Sequence, residues 1–388
     1  MKKRKYAILA AAAFATFATL ISIVDRFLPC YYESTGTFFY DVTFVVTLLS
    51  RPLGIFEMMM RFFAQFFINT VIGVALLSAL LSGVAVLGVK VVEKWTGRFI
   101  VAGSLPAVVV GILLFYRNRM FIALPMLAAI EAVLLLIPYK RHPGAEASAP
   151  GGKRSVILQL ALFTVAVGVS APLCIKGQNE FLKEQSCLAR QGRWAGIIEG
   201  IGRGRNAGNT VFQNYANLAL AQKGQLSKKI YRAKDSGSEC LFITPDRSPE
   251  LGTMLSDIYL SIGQVAAAQR HAFEANESYR GYSPRLLQTL VKTNIALGNG
   301  AVAMKYIDML KQTLFYREWA KRYEAICTGT KTTQEMKMLQ KCATVPNYFT
   351  QYFREDIEIA DILLVCPENR VAQQYFTALQ HILHDSAQ

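Results

Sequence analysis

Glu131 is the one acidic residue inside an otherwise apolar stretch, 120–139. A carboxylate at the centre of a hydrocarbon layer costs about 2.5–3.5 kcal/mol or more, so it must face protein or water. Two uses fit such a group: contact with a proton, an ion or a substrate headgroup, or a hydrogen-bonded packing role between helices. Arg61, Gln65 and Asn69, at the start of the apolar run that ends at Val89, are polar side chains that could partner it. A second set of carboxylates, Asp25, Glu33 and Asp41, follows the first apolar run. A carboxylate in a first external loop, followed by several spans and a soluble domain, is the layout of polyprenyl-linked glycosyltransferases. This loop, however, has no Asp-Asp or Glu-Asp pair.

Other reactive residue types give little. The chain has no GxxxxGK[ST], GxSxG or HExxH, and no GxGxxG opening a helix after a strand. Gly200-Ile-Gly-Arg-Gly-Arg205 is glycine-rich but lacks the Lys-Ser of a phosphate loop, and reads as a linker. His381 and His384 supply two potential ligands, fewer than a closed metal site needs. The cysteines at 30, 174, 187, 240, 327, 342 and 366 contain no CxxC. They read as buried thiols, with a Cys327–Cys342 disulfide open if the tail lies in an oxidising compartment. No cofactor is expected.

What must position these groups is a chain in two halves. It is 52% hydrophobic over 388 residues, with a mean hydropathy of +0.26. The net charge of +15 falls mostly beside apolar runs, without a dense basic patch interleaved with aromatics, so nucleic acid is not an expected partner. A helix rises 1.5 Å per residue, so about 20 apolar residues cover the hydrocarbon core. Runs near 6–24, 66–89, 99–116, 120–139 and 156–175 satisfy that, predicting a bundle of about five transmembrane helices in residues 1–175. Segment 38–60 reads as interfacial. With the N-terminus cytoplasmic, 11 Lys/Arg fall inside and 5 outside, which predicts an external, periplasmic tail.

Residues 176–388 carry a helical repeat. Gly263 and Gly298 each stand between two amphipathic segments, with Ala268 and Ala303 five residues on. The 35-residue spacing is near the tetratricopeptide period of 34, and both units resemble tetratricopeptide repeats at their Leu, Tyr, Gly and Ala positions. Weaker copies turn at Gly192 and Gly224, where Lys229 replaces the small residue. The expected fold is therefore all-α: a transmembrane bundle followed by a tetratricopeptide-like α-solenoid of four stacked pairs, with 371–383 as a terminal cap. In that register Glu250, Asp257, Arg285, Gln288 and Lys292 line a concave groove for a protein or peptide.

The Phe-rich stretch Pro52–Phe67, the repeats, and Cys366-Pro-Glu-Asn369 followed by Ala372 and Tyr375-Phe376 are similar to an uncharacterised group of Bacteroidales membrane proteins, domain-of-unknown-function family 6057. The resemblance implies a bacterial inner-membrane location and no known activity. Members of that group run past position 388, which suggests a truncated chain. The leading expectation is a membrane-anchored, non-enzymatic scaffold in contact with the lipid bilayer. The rival is a membrane enzyme or transporter built on Glu131 and the Asp25–Asp41 loop.

Overall fold

The structure is a computed structural model that describes residues 2–116, 122–138, 157–161, 163–165, 167–168, 179–202, 208–233, 236–246, 248–345 and 354–387. Every regular element among the described residues is helical. The Arg117–Arg119 turn, the 140–154 loop, residues 203–205 of Gly200–Arg205, Cys174 and Pro346-Asn347 lie outside the described residues, as does much of 156–175. The chain divides into two units. Residues 1–33 and 42–184 form the first, and residues 34–41 and 185–388 form the second.

The first unit is organised on one long helix. In chain order come α1 (Lys2–Val24), α2 (Leu28–Thr35), α3 (Val42–Leu49), α4 (Gly54–Ala64), a 3-10 turn (Gln65–Ile68), α5 (Thr70–Thr96), a second 3-10 turn (Val101–Ser104), α6 (Leu105–Tyr116) and α7 (Ala123–Leu136). The apolar run expected to form one helix from 66 is divided at Asn69. Its extended backbone (φ −106°, ψ 127°) stops the 3-10 turn, and its Oδ1 accepts from Val71 N and Ile72 N, the orphan donors of a new helix. α5 then packs against α1, α6 and α7, burying Leu77, Leu81, Ala85 and Val89 with Phe17 and Leu124.

Among the described residues, two helices are long and apolar enough to cross a membrane, Arg4–Val24 and Thr70–Thr96; α6 and α7 are apolar but shorter. Segment 38–60 contains helices of eight and 11 residues, both too short to span. The reversal between α3 and α4 runs through Leu53 at φ 61° and Gly54, where a Cβ would lie 1.7 Å from the Leu48 carbonyl oxygen. Only glycine fits there.

The second unit contains α8 (Asn179–Arg190, from residue 185), α9 (Trp194–Gly202), α10 (Thr210–Gln222), α11 (Pro249–Ile262), α12 (Val265–Ser278), α13 (Pro284–Ala296), α14 (Gly300–Lys311), α15 (Arg317–Cys327), α16 (Gln334–Cys342), α17 (Glu355–Val365) and α18 (Arg370–Ala387). From α11 to α15 each helix packs on the next. The four turn glycines expected from the repeat all adopt positive φ, as does Gly329. At Gly263 (φ 92°) the turn closes with Gln264 N donating to Tyr259 O at 2.9 Å, the six-to-one bond of a helix C-terminus. Ala268, Ala272, Ala275 and Ala303 are buried where adjacent helices meet.

Two features depart from the repeat pattern. Among the described residues, no helix follows Gly224 until α11, apart from the 3-10 turn Ser238–Cys240. The main chain there is satisfied by two buried amides of α10 instead. Asn217 Nδ2 donates to Tyr231 O and Cys240 O, both at 2.9 Å, and its Oδ1 accepts from Tyr231 N at 2.8 Å. Asn214 donates to Glu239 O at 2.8 Å. These bonds replace the helical ladder, so irregular backbone can be buried without cost in unmade hydrogen bonds. The second departure is α18, which packs on α17, as a cap would, and also on α10 and α11. Tyr375, fully buried, lies 5.4 Å from Phe242 ring to ring, and Gln374 Oε1 accepts from Ser227 N at 2.9 Å.

Candidate functional sites

The second unit holds a short stretch of chain from far away in sequence. Residues 36–41 form no regular element and lie against the α12–α13 loop and the end of α14. Thr37 N donates to Tyr282 O at 3.1 Å and Tyr40 N to Gln312 O at 2.7 Å. Ser283 Oγ donates to Ser34 O at 2.6 Å, while the same oxygen accepts from Leu286 N at the start of α13. Phe39 is 2% exposed, with its ring 5.7 Å from that of Tyr282, whereas Tyr40 is 48% exposed. The segment is thus held by two main-chain amides and by Thr37, Phe38 and Phe39, which are buried in succession, and main-chain bonds combined with buried aromatic rings are how a peptide segment is bound.

The bed is shaped by a strained loop. Arg280 (φ 62°) and Gly281 (φ 76°) are successive left-handed residues. A non-glycine residue there costs about 1 kcal/mol or more. Asn276 holds the turn: its carbonyl oxygen accepts from Gly281 N at 2.7 Å and its side-chain Oδ1 from Ser283 N at 3.1 Å. That clasp places Tyr282 O against the amide of Thr37 and Ser283 Oγ against the Ser34 carbonyl. Sequence reasoning placed Phe38–Leu49 at a membrane interface and missed this bed. The available signal was Gly36-Thr-Phe-Phe-Tyr40, whose β-branched and aromatic run suits extended backbone.

The residues expected to line a groove are placed as follows. Asp257 and Arg285 form an ion pair between α11 and α13, and Arg285 also donates from Nη1 to Ser186 O at 3.1 Å and Ser186 Oγ at 2.8 Å on α8. Arg285 is buried. Burial lifts the Asp257 carboxyl above its ordinary range, and the Arg285 charge opposes that. Lys292 pairs with Glu335 at 2.7 Å, with its ammonium 6.0 Å from the Tyr323 ring centre. Gln288 is half-buried and Glu250 is exposed. The structure thus joins Asp257 to Arg285 and ties both to α8, a link that no spacing in the repeat announces.

In the first unit Glu131 is buried on α7 beside the closest approach of two backbones. A Cβ on Gly88 would lie 2.2 Å from Gly103 O and 2.8 Å from Glu131 Oε1. Glu131 Oε2 is buried without a hydrogen-bond partner among the described residues. The side chains expected to partner it are engaged elsewhere. Arg61 donates to Glu57 Oε1 at 2.9 Å, Gln65 Nε2 to Phe62 O at 2.9 Å, and Asn69 caps α5. Charged groups gather instead at one end of α5, where Lys5 meets Glu93 at 2.6 Å and Lys94 donates to Leu135 O at 2.6 Å at the end of α7.

The loop carboxylates are divided between the units, Asp25 and Glu33 in the first and Asp41 in the second. Asp25 is buried 3.2 Å from Lys183 Nζ. Burial pushes its carboxyl up to about 6, against the pull of Lys183. No group of three or more His, Cys, Asp or Glu side chains suited to a metal ion occurs among the described residues.

No curated protein and no solved structure matches the chain. A family profile does match, over residues 115–385, which reaches from α6 through all but the end of α18. On that match the chain belongs to the family of unknown function DUF6057.

Proposed function

We propose that the protein is a multi-pass scaffold of a bacterial inner membrane, whose tetratricopeptide-like helical unit takes up an extended segment of a protein partner. The observation that carries this reading is the bed for residues 34–41. Tyr282 and Gln312 there offer main-chain carbonyls to the amides of Thr37 and Tyr40, and Ser283 offers a hydroxyl to the Ser34 carbonyl at the end of α2. Surfaces that use main-chain bonds for affinity and aromatic pockets for choice are suited to peptide ligands. The left-handed turn glycines and buried alanines support the repeat assignment. The apolar helices α1, α5, α6 and α7 support membrane anchoring, with bilayer lipid as the second partner and the helical unit on the periplasmic side by the charge bias.

The test is site-specific photocrosslinking of the full chain in cells, with the reactive side chain at Glu250 or Gln288, neither of which is buried. A discrete adduct at these positions, absent when the reactive group is moved to exposed Leu364 on α17, is expected. The same adduct pattern at all three positions, or none, overturns the reading.

One observation favours a second reading, a membrane transporter or polyprenyl-linked glycosyltransferase-like enzyme centred on Glu131. A buried carboxylate oxygen without a partner is the kind of group kept for a proton, an ion or a headgroup. Under that reading Glu131→Gln abolishes function in cells while the crosslinks at 250 and 288 persist.

A further inference from the structure

Cys342 is the last residue of α16, and Cys366 follows the last residue of α17. Their sulfurs lie 2.9 Å apart, both in the core, with Cys342 at 2% and Cys366 at 0% exposure. That separation is within about 1 Å of the ~2.05 Å length of a disulfide bond. The pair expected from sequence, Cys327–Cys342, is not the one in contact: Cys327 Sγ faces Gly300 O at 3.5 Å.

We propose that Cys342 and Cys366 are joined as a disulfide in the mature protein, stapling α16 to the start of the turn before α18. The sulfurs are held from several sides. A Cβ on Gly263 would lie 2.8 Å from Cys342 Sγ and 3.3 Å from Asn369 Nδ2, so the α11–α12 turn closes over the pair. Asn369 fixes the other wall, accepting from Ala372 N at 3.1 Å and donating to Ser261 O at 3.4 Å. Cys366 is anchored by its own amide to Ile362 O at 2.7 Å.

The reaction is a double exchange with a disulfide donor, either an oxidoreductase of the thiol–disulfide exchange class or oxidised glutathione. One thiolate attacks a donor sulfur, forming a mixed disulfide and releasing the first donor thiol. The second cysteine then displaces the remaining donor thiol and closes the protein disulfide. Two protein thiols are oxidised, one donor disulfide is reduced, and two protons leave with the donor. Burial and the neighbouring thiol raise the Cys342 pKa well above the ordinary thiol range, so little thiolate exists once the helices have packed. The bond therefore forms while the chain is still open, and packing then shields it from reduction.

The oxidised state in cells rests on the periplasmic placement of the helical unit; the pairing itself does not. The test uses the full chain in two arms. In the first, cells are quenched with acid and N-ethylmaleimide, and the protein is digested without reductant. In the second, the purified, reduced protein in detergent is unfolded in urea and refolded with oxidised glutathione. Peptide mapping is expected to find the 342–366 link in both arms, with both thiols refractory to maleimide and no link in Cys366→Ser. A link in the second arm with free thiols in the first upholds the pairing and overturns the periplasmic placement. A 327–342 link, a glutathione adduct alone, or two free thiols in the second arm overturns the pairing. Mapping of the unsubstituted protein decides this even if Cys366→Ser fails to fold.

Discussion

If residues 34–41 are held as a peptide is held, removing the Phe39 ring should release them and leave the helices behind them intact. Phe39 is nearly sealed from solvent, and its ring packs on Tyr282. Truncating a buried Phe to Ala costs about 3–5 kcal/mol. The low end applies, because a bed made of helix ends can settle inward more readily than a helical core. About 3 kcal/mol at ~1.4 kcal/mol per decade is roughly a hundredfold rise in the fraction of time the segment is open. The amides of Thr37 and Tyr40, bonded to Tyr282 O and Gln312 O, report that opening directly by hydrogen exchange. In Phe39→Ala their exchange should speed up by about two orders of magnitude, while Leu290 and Val291 inside α13 keep their protection. Tyr40→Ala, at the exposed position, should change the same amides less than tenfold. Unchanged protection at 37 and 40 would refute the reasoning. Loosening of α13 in step with the segment would also refute it, because Phe39 would then belong to the helical core and the bed could not serve as a model for partner binding.

Other outcomes follow from buried charge and close packing. Asp257→Ala leaves Arg285 buried without its carboxylate and should destabilise the protein by about 3–5 kcal/mol in denaturant titrations; the Asp257→Leu, Arg285→Leu double variant should lose less than either single change. Gly88→Ala drives a methyl group into Gly103 O and Glu131 Oε1, and should lower thermal stability in detergent far more than Gly83→Ala, where a Cβ meets nothing within 4 Å. Glu358, which accepts from Gln264 Nε2, has its carboxyl pushed up to about 7 by burial, with Glu355 and Asp361 adding to the shift. The folded state then binds the proton more tightly than the unfolded one, so stability falls as pH rises from about 4.5 to 7 and levels off above, by about 1–2 kcal/mol once solvent screening is allowed for. Glu358→Gln should flatten that slope and be the more stable protein at pH 8; an unchanged slope in thermal melts would sink the assignment.

The sequence carried what local periodicity carries. Gly192, Gly224, Gly263 and Gly298 marked helix ends because a C-terminal turn needs positive φ, and Ala268 and Ala303 marked close approach because only small side chains permit it. Neither inference needs to know what lies across the contact. The sequence failed where one residue overrode its neighbours. Asn69 divides an apolar run that hydropathy reads as continuous, because a cap acts through one oxygen and hydropathy averages over twenty residues. Lys229 gave a hint that the second helix of its pair was compromised, but the replacement, a coil clasped by Asn214 and Asn217, depends on contacts up to 29 residues away. The placement of segment 36–41 was invisible for the same reason, its bonding partners Tyr282 and Gln312 lying about 245 and 272 residues further along the chain, in the same unit.

Several charged residues of the helical unit are paired with one another: Asp257 with Arg285, Lys292 with Glu335, Lys311 with Glu324, Lys341 with Glu368. A groove whose specificity rested on charge would need such groups facing outward, as the repeat register alone suggests for Asp257, Arg285 and Lys292. Pairing lowers the field they present, and a partner that displaced one member would leave the other unpaired at a cost of several kcal/mol. Recognition that uses carbonyls at helix ends meets no such penalty, since those oxygens retain a second lone pair and already accept from the amides of Thr37 and Tyr40 at Tyr282 and Gln312. Salt dependence separates the two modes. A charge-read partner loses affinity steeply between low and physiological ionic strength, whereas one bound through main-chain bonds and buried aromatic rings changes little. The proposed crosslinks at Glu250 and Gln288 should therefore survive a wash in high salt, and their loss there would return the argument to the charged face.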